Sequence, residues 1–408
     1  MSVRDSMSSA DAERGVHAAS AYELNGSPEL SQPHLRAERG RPARSGTSSS
    51  RVPWRFQRSH PRDAAAAQRA ALRRSSPLAA LLTLLLALRM LPVVGPAAEP
   101  PRAPTAPTVI IVTGAAGEDE FGKQFAAWSD AWRKAGNLGG ARVVSIGATN
   151  AASAASATGG LTDRERLQGA LAAEAKQTEG DLWLVLLGHG TFDGKEAKFN
   201  LVGPDLAASD LADWLKPMRR PLAIVDTSSA SGAFIKKLSA PGRVIVTATR
   251  SGSEENYARF GDYLAAAIID PLADLDRDGQ ISLLEAFIAA SHKVVEFYRS
   301  EGRLATEHAL LDDNGDGLGT PPDWFRGTRA VKRATEGGAP DGLLAAQLCL
   351  VPSDFEKRLT PAQRQRRGEL ETALARLRDL KSKLTETEYY QQLEPVLLEL
   401  ARLYQSVK

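Results

Sequence analysis

Residues 221–234 read "PLAIVDTSSASGAF", and the reading of this stretch decides the fold. Leu222 to Val225 form a short apolar run, the pattern of a strand buried on both faces. It stops at Asp226 and gives way to small hydroxyl residues, Thr227, Ser228 and Ser229. A parallel sheet holds the side chains that follow its strands at one carboxyl edge, where α/β enzymes mount reactive groups.

Working outward, similar runs recur with helical patterns between them. "TVIIVTG" (108–114) precedes an amphipathic stretch from Phe121 to Lys134, and "RVVSIG" (142–147) leads through a Gly/Ala/Ser-rich loop to a helix that Thr162 and Glu165 start as a capping box. "DLWLVLLGHG" (181–190) is followed by the helix "SDLADWLK", and "GRVIVTATR" (242–250) by the helix "FGDYLAAAII". Apolar, β-branched runs joined by helices predict an α/β fold whose mainly parallel sheet is covered on both faces.

Beyond Pro340 the pattern changes. Thr360, Pro361 and Gln363 open a helix with Leu370, Leu374, Leu377, Leu380 and Leu384 on one face, and Thr385 and Glu388 cap a second that carries Leu393, Val396, Leu397, Leu400 and Tyr404. The chain therefore divides into an α/β domain at 108–330, a linker at 331–352 and a C-terminal α-helical hairpin at 353–408. The hairpin either packs on the α/β domain or serves self-association or a partner.

Charge is balanced, 51 Lys and Arg against 49 Asp and Glu, so no nucleic-acid partner is expected for the folded domain. Basic residues gather from Arg36 to Arg74 with Ser, Pro and Ala, and residues 1–72 read as a disordered basic tail. Arg73 and Arg74 then precede the apolar run Leu78 to Leu88 and the small-residue stretch "GPAAEP". That is the layout of an export signal at 73–98, with a membrane anchor through 78–94 as the alternative and a Pro-rich linker at 99–107. Such signals stand at an amino terminus, so the expectation includes a true start near Leu72 that leaves the tail untranslated. The exported location is periplasmic or extracellular. Cys349 is the only cysteine, which excludes an intramolecular disulfide.

Two strand ends carry reactive groups. "LVLLGHG" delivers His189 between two glycines, and "AIVDTSS" delivers Ser228 and Ser229. In a parallel sheet both face the same rim, where a base and a nucleophile have to meet. Gly190 lets the backbone approach closely and offers its N–H to a developing oxyanion.

Three segments resemble the legumain and GPI-transamidase branch of the caspase-like cysteine peptidases: the strand into His189-Gly190, the strand into Asp226-Thr227-Ser228, and "VIVTATRSGSEENYARFGD" (244–262). The resemblance covers about residues 108–270. It implies a caspase-like three-layer sandwich acting on peptide or protein substrates, with His189 as base, Ser228 as nucleophile, or Ser229 if a residue is inserted, and Gly190 in the oxyanion hole. It also places Glu254 and Glu255 in the pocket segment, where they favour Lys or Arg in a ligand unless they are surface carboxylates. The family has Cys where Ser228 stands. A hydroxyl lacks the intrinsic nucleophilicity and accessible pKa of a thiol and needs an oriented base. The expectation is therefore a hydrolase family member degenerate at its nucleophile, or a non-catalytic peptide- or protein-binding module on the same fold.

A separate motif is "DLDRDGQISLLE" (274–285). Asp274, Asp276 and Asp278 fill loop positions one, three and five, Gly279 the turn at six, Gln280 a carbonyl at seven, Ser282 position nine and Glu285 position twelve. That spacing gathers oxygens around one point for Ca2+. Pro271 interrupts the entering helix, which favours a structural site over a sensor. Asp312, Asn314 and Asp316 with Gly317 repeat the first half of the pattern, with Asp323 at position twelve. They form a second Ca2+ site or an Asx-rich turn, and the neighbouring His308 is expected to be structural.

Overall fold

The computed structural model describes residues 106–147, 160–335 and 338–407. The tail expected at 1–72, the signal segment at 73–98 and the linker through residue 105 lie outside the described residues.

In chain order the main elements are β1 (Thr108–Thr113), α1 (Asp119–Leu138), β2 (Arg142–Ile146), α2 (Asp163–Glu174), β3 (Leu182–Leu187), β4 (Gly190–Phe192), β5 (Ala197–Phe199), β6 (Leu206–Ala207), α3 (Ala208–Leu215) and β7 (Leu222–Asp226). A 3-10 turn at Ser231–Phe234 runs into α4 (Ile235–Leu238), followed by β8 (Arg243–Thr247), α5 (Phe260–Ala267), α6 (Leu283–Ser300) and β9 (Leu310–Asp312). Next come β10 (Phe325–Arg326), β11 (Arg329–Ala330), α7 (Asp354–Arg358), α8 (Pro361–Leu380) and α9 (Glu386–Ser406).

Six strands form one sheet in the order β2-β1-β3-β7-β8-β9, all parallel except β9, which runs antiparallel to β8. β1, β3 and β7 are buried at every position, as their unbroken apolar runs require. Alternate side chains serve opposite faces. Ile111, Trp183, Val185 and Val225 pack with Trp128 and Trp132 of α1 and Phe260 of α5, while Ile110, Leu184, Leu186 and Ile224 pack with Leu167 of α2 and Leu211 of α3. Each large side chain so buried contributes about 1.5–3 kcal/mol. The result is the expected three-layer α/β sandwich with a mainly parallel sheet. β3 and β7 are neighbours, with Leu186 opposite Asp226, so their carboxyl ends share a rim.

The C-terminal helices form the expected hairpin. Thr360 with Gln363 and Thr385 with Glu388 make reciprocal capping boxes, and Arg366 grips Glu399 across the pair with bonds of 2.7 and 2.8 Å. Leu370, Leu377, Tyr389 and Leu400 are buried. Leu380, the last residue of the first helix, and Leu397 of the second, both read as lying on an apolar face, are instead 42% and 44% exposed. Among the described residues no helix is long and apolar enough to cross a membrane.

Candidate functional site

Space at the rim dictates its glycines. A Cβ at Gly190 would stand 2.3 Å from the Ser229 carbonyl oxygen and 2.8 Å from Ser228 Oγ, and one at Gly188 would meet the Phe199 ring at 3.0 Å. Gly190, at the start of β4, and the serines after β7 are therefore in contact.

Their hydrogen bonds differ from a nucleophile–base pair. Ser228 is fully buried, and its Oγ donates to Asp226 Oδ1 at 2.6 Å while its N–H donates to the same oxygen at 3.0 Å. Burial pushes the Asp226 carboxyl up to about 6, against the two Ser228 bonds. Asp226 Oδ2 has no hydrogen-bond partner among the described residues. Ser229 Oγ donates to the Gly190 carbonyl at 3.1 Å and accepts from the Gly190 N–H at 3.2 Å. The N–H expected to receive an oxyanion is thus already taken up, and the hydroxyl proposed as the alternative nucleophile is what takes it. The turn is fixed further by Ala230, left-handed at φ 57°, whose N–H donates to the Glu254 carbonyl at 2.8 Å. For a residue with a Cβ that conformation costs about 1–2 kcal/mol.

His189 is half-buried, with its ring against Phe121, Phe125 and Tyr257 at centroid distances of 4.9, 5.1 and 6.3 Å. Its Nε2 lies 3.2 Å from the Ala116 carbonyl. Burial lowers its pKa below the usual imidazole value, opposed by the Ala116 bond and by Glu118. Neither serine hydroxyl is hydrogen-bonded to the imidazole among the described residues. Ala116 is an orienting group that sequence reading missed, because it acts through its backbone.

The two pocket carboxylates have separate fates. Glu254 Oε1 contacts His308 Nδ1 at 2.6 Å and Arg250 Nε at 3.0 Å, and Oε2 accepts from the backbone N–H groups of Arg250 and His308. It clips the pocket segment to the approach to β9 rather than standing free for a basic ligand, and it gives His308 its structural role. Glu255 is exposed.

In the first acidic loop, oxygens of Asp274, Asp276 and Asp278 lie within 4.8 Å of one another. Gly279, at φ 86°, turns its N–H to Asp274 Oδ2 at 3.0 Å, and Gln280 donates to Asp278. Glu285 Oε1 accepts from Leu275 and Asp276 N–H, and Oε2 from the Ser282 N–H and hydroxyl. Burial, then Glu285 and the two other aspartates, push the Asp276 carboxyl up to about 6. A set of crowded carboxylate oxygens fits a hard divalent cation.

The second loop is closed from elsewhere. Asp312 accepts from Gly315 and Gly317 N–H, Asn314 from Asp316 N–H, and Asp316 from Leu318 N–H. Asp323, expected at position twelve, is exposed in a 3-10 turn. Its place is taken by buried Asp341, which accepts from Asp313 and Asn314 N–H and from the Thr320 hydroxyl. Those are the loop positions that Glu285 serves in the first loop. Sequence offered no signal for Asp341, which stands well beyond the motif.

No family model and no curated protein matches the chain. Solved structures similar to it include the Drosophila initiator caspase Dronc, at 11% identity over 53% of this chain and 83% of that one with a TM-score of 0.34. Caspase-1 from Spodoptera frugiperda is 12% identical over 52% and 87%, with a TM-score of 0.32. A protein from Geobacter sulfurreducens is 12% identical over 53% and 98%, with a TM-score of 0.33. The likeness is partial, and the α/β sandwich stands on the strand order and packing above.

Proposed function

We propose that the chain is a caspase-like domain that has lost peptide-bond cleavage at its nucleophile position, retains the rim as a binding surface for peptide or protein, and is exported with Ca2+ in its first acidic loop. The buried bond from Ser228 Oγ to Asp226 Oδ1 carries this reading. A serine nucleophile needs its proton taken by an oriented base and a free donor for the oxyanion. Here the proton is committed to a buried carboxylate, the imidazole is engaged with the Ala116 carbonyl, and Ser229 occupies the Gly190 N–H.

Asp274, Asp276 and Asp278 would hold the cation, with Gln280 and Ser282 beside them, and Glu285 would join them on giving up a bond to the loop N–H groups it now holds. When bound, it would neutralise charge and stiffen the loop ahead of α6. The second loop repeats the first loop's bonds to N–H groups, but among the described residues only the first gathers a cluster of three carboxylates, which favours an Asx-rich turn closed by Asp341 for Asp312, Asn314 and Asp316.

The test is turnover of a mixed peptide library with Ca2+ present, by native protein, Ser228→Ala and His189→Ala. The reading expects no turnover by any of them. Cleavage by the native protein that both substitutions abolish would establish a serine-dependent peptidase instead.

A further inference from the structure

A groove of about 630 Å3 opens between the β10–β11 hairpin and the carboxyl end of α8, within the size range of small-ligand sites. Arg329, Arg333, Arg378 and Lys381 line it, with Asp379 as the one carboxylate among the described residues. Asp379 is already held by Arg333 at 2.8 Å and, more loosely, by Arg329 at 3.8 Å. Lys381 lies over the Tyr389 ring at 5.3 Å, and neither it nor Arg378 has a carboxylate partner among the described residues.

The hairpin adds an independent sign of unmet charge. Arg326 and Arg329 are direct cross-strand partners, so both side chains leave the same face. Like charges directly opposed in an antiparallel pair are destabilising; of the two only Arg329 lines the groove, so an anion bound there relieves the pair from the Arg329 side. Arg378 in the last turn of α8 also complements the helix dipole, but that role does not account for two arginines set against each other on a two-residue strand pair.

We propose that this groove binds a phosphate group. Planar guanidinium forks match phosphate oxygens in pairs, and the Ser382 hydroxyl at the lining supplies a further donor. The phosphate belongs either to a free phosphorylated molecule or to an anionic lipid headgroup, and the two sources separate experimentally.

The full chain is titrated calorimetrically with inorganic pyrophosphate and, in parallel, co-sedimented with phosphatidylglycerol or phosphatidylcholine vesicles. The double variant R378E/K381E and the milder R378A are carried alongside, with melting temperatures as the check on folding. Binding to either anionic probe is expected, weakened about tenfold or more in R378E/K381E and less in R378A. Response to pyrophosphate marks a free ligand, and response to phosphatidylglycerol alone marks the membrane. No binding of either probe at millimolar phosphate, or binding unchanged in a folded R378E/K381E, overturns the assignment.

Discussion

Ser228 Oγ donates to Asp226 Oδ1 at 2.6 Å, across one intervening residue at the end of β7. The side chain expected from the sequence as a nucleophile is instead folded back onto the strand that presents it. The bond helps to satisfy one oxygen of a carboxylate that has no access to water, so its loss leaves that oxygen with the Ser228 N–H alone and forfeits a charge-assisted hydrogen bond.

Ser228→Ala therefore lowers stability by about 1–3 kcal/mol, read as a lower urea midpoint at unchanged slope. An unchanged midpoint would mean that the hydroxyl does not support Asp226.

Acid stabilises this fold locally. Asp226 titrates near 6 and Asp341 near 7, both raised chiefly by burial from an ordinary value of 3.8. A raised carboxyl binds its proton more tightly in the folded state, so its contribution is greatest at low pH and is lost as pH climbs through the folded pKa. The melting temperature in chelator is expected to fall between pH 5 and pH 7.5 on account of these groups, and the fall to be shallower in Asp226→Asn, which keeps a neutral side chain at all pH. An identical slope in that variant would contradict the assignment.

The rim tolerates no side chain at Gly190. Its Cβ would meet backbone of the Ser229 turn at 2.3 Å, so Gly190→Ala is expected to cost about 3 kcal/mol or more by overpacking, whereas Gly169→Ala, with open space around it, serves as the control. A loss at Gly190 no larger than at Gly169 would show that the contact is not responsible.

Calcium is expected to raise the melting temperature. A ligand bound only by the folded state at a hundred times its Kd stabilises by about 2.7 kcal/mol, a shift of roughly 5–10 °C for a domain of this size. Asp276→Asn should abolish most of the shift, and Asp312→Asn should leave it. A melting temperature indifferent to millimolar Ca2+ would remove the cation from the account.

Much of the frame was legible because it is local. β1, β3, β7 and β8 announce themselves as unbroken apolar runs, and Thr162, Thr360 and Thr385 cap their helices with partners three residues on. The meeting of Gly190 with Ser228 and Ser229 followed from strand direction alone. What escaped depends on chain segments far apart: the Ala116 carbonyl facing His189, Glu254 clipping Arg250 to His308, and Asp341 closing a loop whose own twelfth residue points to solvent. The small sheet β4-β5-β6 was missed for a different reason, its strands of two or three residues being too short to show a period.

The most direct measurement of the closed nucleophile seat is alkylation of Ser228→Cys by iodoacetamide, followed by mass spectrometry that separates residue 228 from the native Cys349. The account predicts that the folded protein leaves position 228 unmodified until denaturant opens it. Rapid modification of that thiol in the native state, slowed by a peptide ligand, would show an accessible site and contradict the account.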